Sequence, residues 1–159
     1  MTQLCFPNSF YQAEPLRRRR LFISVSNLNI ENMNLKKLRK LKKKNSEIGK
    51  MIQAVGNDLI MLGETAEKRE NYLQTVCVAW NISCLPESTK EQNIHKFVTD
   101  FRKMNKSSDE NTANFEHSVR SIIEEKIKLY PDVHIEIVDA SLEEVGGKDL
   151  LKIISRKIK

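Results

Sequence analysis

Glycine and proline are scarce in this 159-residue chain, at five and four residues. Turn-rich all-β folds depend on both, so their scarcity argues against such a fold. Cysteine is rarer still and odd in number: Cys5, Cys77 and Cys84. Cys77 and Cys84 fall on one expected helix, seven positions and so about 10 Å apart along its axis, too far for a disulfide. The set is no disulfide framework, and reduced, buried thiols in a cytoplasmic protein are the simplest reading. The three histidines, His95, His117 and His134, lie on three different expected elements. Neither they nor the cysteines form a Cys-x2-4-Cys or His-x3-5-His clamp, so no metal and no cofactor is expected. No apolar run approaches the roughly 18 residues of a membrane-spanning helix.

What is present is charge, unevenly spread. The net +6 divides into 12 Lys/Arg against 3 acids over residues 1–50, and 15 against 18 over residues 51–159. A basic N-terminal third on a mildly acidic body is the pattern of an arm that meets polyanions. Its densest part is Lys36, Lys37, Arg39, Lys40, Lys42, Lys43 and Lys44, with leucine at every third position between them. Arg17, Arg18, Arg19 and Arg20 precede it. These eleven residues are the candidate nucleic-acid contacts. On a helix, the seven cations of 36–44 would wrap most of the circumference and bind DNA or RNA non-specifically through phosphates and counterion release. No aromatic residues are interleaved for base stacking, and no sequence-reading motif is present. The alternative is a solvated helix end, or a basic patch for an acidic protein partner.

The longest nearly uncharged stretch is Tyr72–Leu85, which holds the single tryptophan, Trp80. A helix apolar most of the way round is a buried helix, so this segment is expected to be central. Thr65 is placed to cap it, and Pro86 to end it. Asn81 is its one unexplained polar residue, since a buried amide left without partners costs about 1–3 kcal/mol.

The remaining pattern is mostly helical. Residues 1–32 lack periodicity and read as a flexible extension, or as residues upstream of a start at Met33; Leu21–Val25 within them could form a short strand. Asn34–Leu62 shows one apolar face (Ile48, Met51, Ile52, Val55, Leu59, Leu62), with a break expected near Asn45–Gly49 and a stop at Gly63. Ser88–Glu91 and Ser107–Glu110 read as capping boxes. The first precedes an amphipathic helix through Phe97 and Phe101, and the second a helix with Phe115, Val119, Ile122, Ile123 and Ile127 on its inner face. Val133–Val138 alternates as a strand, and Leu21–Val25 is its one intramolecular candidate partner. Ser141–Glu144 resembles a further capping box, and Lys148–Lys159 reads as a short basic helix.

Catalytic chemistry finds no foothold, and no catalytic residue is assigned. Gly146-Gly147-Lys148-Asp149 lacks the first glycine and the Ser/Thr of a phosphate loop. Cys77 and Cys84 lie where a thiolate is least favoured. His134 and Glu136 share a strand face, but no third group joins them.

The expected fold is therefore mainly α, a helical bundle of four principal helices plus a short C-terminal helix, with one short strand near residues 133–138. Residues 33–159 form one helical domain. The expected core is Met51, Val55, Leu59, Leu73, Val76, Cys77, Trp80, Cys84, Phe97, Phe101, Phe115, Val119, Ile122, Ile123 and Ile127. The leading functional expectation is a small non-enzymatic interaction protein that binds a protein partner or its own copy, through an exposed apolar patch or an unpaired edge at Val133–Val138. The alternative is a nucleic-acid-associated accessory protein using the basic 36–44 segment.

Overall fold

A computed structural model describes residues 35–145 and 148–158, with side chains described for 47–143 and 150–158. Four helices lead into a hairpin: α1 (Leu35–Met61), α2 (Ala66–Ser83), α3 (Glu87–Asn105), α4 (Asp109–Leu129), β1 (Ile135–Val145) and β2 (Lys148–Lys157). The extension 1–32 and the proposed strand Leu21–Val25 lie outside the described residues.

The helices form where the apolar spacing places them. α1 runs unbroken through Asn45–Gly49, so the expected break is absent. Gly56 serves helix packing. A Cβ on Gly56 would collide with both methyls of Val76, so the missing side chain lets α1 and α2 approach closely. Gly63, expected to end α1 through a left-handed conformation, owes its place to crowding: a Cβ there would meet the Arg69 backbone nitrogen at 2.5 Å. Thr65 caps α2 as expected, its side chain accepting from Lys68 N–H at 3.2 Å. The other two caps are displaced. α3 begins at Glu87 behind Pro86, without a side-chain cap, so Ser88 lies inside the helix. α4 is capped by Ser108, one residue later than the expected start, through Asn111 N–H.

α2 is central: it packs against α1, α3, α4 and β1. Trp80, Val76, Leu73 and Ala79 are fully enclosed, and Phe101 stacks on Phe115 with centroids 3.7 Å apart. Most of the expected core is buried; Met51, Val55, Cys84 and Phe97 are half-buried and pack against it, and Ile127 is 41% exposed, while its neighbour Lys126 is 1% exposed. Lys126 follows Ile122 by four and Ile123 by three, so it continues their inward stripe. Its ammonium lies 5.4 Å from the Trp80 ring centre, a cation–π contact that makes the burial tolerable.

The C-terminal third differs most from expectation. Lys148–Lys157 is a strand, not a helix, and it pairs antiparallel with β1 from Ile135↔Lys157 to Val145↔Lys148. Ser141–Glu144, expected to cap a helix, continues β1. Only two residues separate Val145 from Lys148, the spacing of a tight hairpin. The register shifts between Ile137 and Asp139, leaving Val138 as the extra residue of a bulge. One face of the hairpin, bearing Ile137, Ala140 and Ile153, packs on the helices. Gly49 of α1 lies beneath it, where an added Cβ would come within ordinary contact of Leu151 and Ile153.

Candidate interaction surface

β1 has two edges, and over Ile135–Ala140 both are occupied. One pairs with β2. The other meets a polar stripe on α2 that includes Gln74, Asn81 and Cys84. Asn81 Nδ2 donates to Ile137 O at 2.9 Å, and Ile137 N–H donates to Asn81 Oδ1 at 2.7 Å. Gln74 Nε2 donates to Ala140 O at 2.7 Å, and Trp80 Nε1 donates to Ile135 O at 2.8 Å. The Cys84 sulfur sits 3.8 and 3.7 Å from the carbonyls of Val133 and Ile135. The spacing explains the fit. From Gln74 to Cys84 a helix rises about 15 Å, and from Ala140 back to Ile135 a strand runs about 17 Å. α2 thus supplies, through side chains, the bonds a third strand would give. This accounts for Asn81 and overturns the expectation of an unpaired edge at Val133–Val138. The surface beside Trp80 and Asn81 is closed by the hairpin.

The open surface is the hairpin's other face. Because both Ile137 backbone groups point to α2, Ile137↔Ser155 is a non-hydrogen-bonded pair, and the register then sets every neighbour. Outward on β2 lie Leu150, Lys152, Ile154 and Arg156, continued by Ile158, whose N–H donates to His134 O. Outward on β1 lie His134, Glu136, Asp139, Ser141 and Glu143. Leu150, Ile154 and Ile158 are 52%, 37% and 43% exposed. Between them the charges pair across the strands. Arg156 donates to Glu136 through Nε at 2.5 Å and Nη2 at 3.0 Å, and Lys152 bonds Glu143. Glu136 holds the Arg156 guanidinium above its ordinary range. The face is therefore an acidic row on β1 beside a row of alternating apolar and cationic residues on β2.

The sequence-derived site residues fall elsewhere. Arg17, Arg18, Arg19 and Arg20 lie outside the described residues. Lys36, Lys37, Arg39, Lys40, Lys42, Lys43 and Lys44 lie on the backbone of α1, with side chains outside the described set. Among the described residues no cluster of His, Cys, Asp or Glu could hold a metal, and no helix is long and apolar enough to cross a membrane. His95, His117 and His134 are all exposed. Cys77 is buried, and burial, followed by the Asp139 carboxylate, pushes its thiol up, the wrong direction for a nucleophile. The Glu136 carboxylate is engaged by Arg156. The exposed apolar residues of β2 fall in the segment whose pattern reads as a short basic helix. The two glycines before Lys148 were the available signal, since such a pair between apolar stretches also marks a hairpin. Comparison of the chain with protein-family models, with curated proteins and with solved structures finds no match.

Proposed function

We propose that the chain is a small, non-enzymatic helical interaction protein that binds a protein partner or its own copy through the outer face of the β1–β2 hairpin. The supporting observation is the exposed Leu150 and Ile154 of β2 and Ile158 just beyond it, separated by ion-paired residues. A rigid row of apolar side chains with a satisfied polar rim has the composition of a recognition surface. The test is capture from host lysate with the wild-type chain and with Ile154→Lys. Nuclease-resistant capture that the variant loses supports the reading; equal capture by both variant and wild type removes it.

A second reading draws on α1. The helix is continuous from Leu35, so Lys36–Lys44 forms a rod about 13 Å long. A duplex carries roughly one charge per 1.7 Å, so the cations on the side of the rod that faces it would each find a phosphate. Binding to DNA or RNA should then fall steeply with added salt. Replacing the seven cations with glutamine should abolish it; unchanged binding would end this reading.

A further inference from the structure

We infer that the far edge of β2 is a docking edge for a third strand, and that its occupant is a segment of this same chain, Leu21–Val25, tethered to α1 by residues 26–34.

The register defines that edge. Ile137 exchanges its backbone bonds with Asn81, and the Ala140 carbonyl accepts from Gln74, so the β1 backbone turns away from β2 at both positions. Ala140 lies opposite Ile153, and Leu142↔Leu151 repeats the same kind of pair two residues on. The N–H and C=O groups of Leu151 and Ile153 therefore point away from β1, along the far side of β2. Among the described residues the sheet has two strands and ends there. α2 closes the β1 edge with side-chain amides. Among the described residues none does so for the backbone of Leu151 or Ile153. A bare edge on a ten-residue strand is a template for pairing.

The chain carries a strand that fits. Leu21-Phe22-Ile23-Ser24-Val25 lies outside the described residues. Its sequence is uncharged, rich in aromatic and β-branched residues, and places Leu21, Ile23 and Val25 on one side. β1, to which sequence alone would pair it, is closed by α2 over Ile135–Ala140. β2 is the strand left open. Leu151 and Ile153 send apolar side chains toward the helices, so the side bearing Leu21, Ile23 and Val25 would extend that inner face.

The tether is long enough. Val25 and Leu35 are ten positions apart, which spans up to roughly 33–36 Å when extended. From Leu35 to Gly49 α1 rises about 21 Å. At Gly49 an added Cβ would already be in contact with the Leu151 and Ile153 side chains. Val25 can therefore lie alongside β2. A strand held on so short a tether has a high effective concentration, which favours it over a strand from a second copy or another protein.

The experiment is NMR of the full chain. Wild type should show cross-strand proton contacts between residues 21–25 and Leu151 or Ile153. The amides of Leu151 and Ile153 should exchange slowly, as should those of Lys152 and Ile154, which face β1. Ile23→Pro removes a donor from the middle of the segment. It should speed exchange at Leu151 and Ile153 by on the order of tenfold or more and leave Lys152 and Ile154 unchanged. The protection should be the same at micromolar and millimolar protein. Fast exchange at Leu151 and Ile153 in wild type, no contacts from residues 21–25, or protection that survives in a folded Ile23→Pro would each overturn the inference. Protection that appears only at high concentration would give the edge to a second copy and overturn it too. If loss of protection at Lys152 and Ile154 shows that Ile23→Pro has not folded, the wild-type contacts decide alone.

Discussion

Asn81 and Ile137 exchange two hydrogen bonds, 2.9 and 2.7 Å long, across 56 residues of chain. The amide of one side chain satisfies both backbone groups of one strand residue, as a facing strand would. Asn81→Ala leaves both groups unpaired against α2, at an expected cost of about 2 kcal/mol. Urea denaturation measures the loss. Amide exchange at Ile137 should accelerate more than at Ser141, which lies beyond the contact.

Two glycines of one helix should answer the same substitution with opposite signs. A methyl group added at Gly49 would meet only ordinary contacts, at 3.8 Å or more, so Gly49→Ala should stabilise by about 0.5–1 kcal/mol through helix propensity. At Gly56 the added methyl would run into the Val76 side chain, so Gly56→Ala should destabilise by about 1–3 kcal/mol. Thermal melts of the two variants decide it, and Gly56→Ala combined with Val76→Ala should show a favourable interaction term.

Lys126 should matter more than Ile127, against the usual ranking of lysine and isoleucine. Lys126→Ala removes a buried stem and the cation over Trp80 and should cost about 2 kcal/mol. Ile127→Ala, at an exposed position, should stay within about 0.5 kcal/mol. Denaturation midpoints compare them, and Trp80 fluorescence should shift for the first variant only.

Glu91 ties α3 to α4 through Arg120, which donates to its two carboxylate oxygens at 2.8 and 2.9 Å. That hydrogen bonding holds the Glu91 carboxyl below its ordinary value. The depressed folded value means the contribution is present above the unfolded value, about 4.3, and is lost as pH falls through the lower folded one. Glu91→Gln should therefore flatten the acid limb of the stability curve and leave the neutral region little changed, because the pair is solvent-exposed. Urea midpoints between pH 6 and pH 2 read this directly.

The helices were legible because their apolar residues recur at a period that a strand cannot satisfy. Trp80 and Phe115 announce their faces plainly. The C-terminal segment was ambiguous for a physical reason. Leu150, Leu151, Ile154 and Ile158 make a helical stripe, yet Leu151, Ile153 and Ser155 also alternate inward as a strand. Local pattern does not separate these, and the choice is made by a contact distant in sequence, β1 lying ready beside it. Asn81 was legible as a question and not as an answer, because its partner is backbone, which carries no sequence signature. Ile127 is apolar yet faces outward, because Lys126 holds the inward angle, and its long stem together with Trp80 makes that angle habitable.

The edge closure of β1 by α2 also orders events in time. The hairpin's own partners are neighbours along the chain, whereas Gln74, Trp80, Asn81 and Cys84 come from 49 to 66 residues away. Contacts that close long loops form late. A hairpin that closed before α2 docked would show bare N–H and C=O groups along one side of β1. Aggregation from that state is set by how quickly α2 arrives, so a variant that slows the meeting of helix and strand would raise aggregate yield on refolding even where the final stability is unchanged.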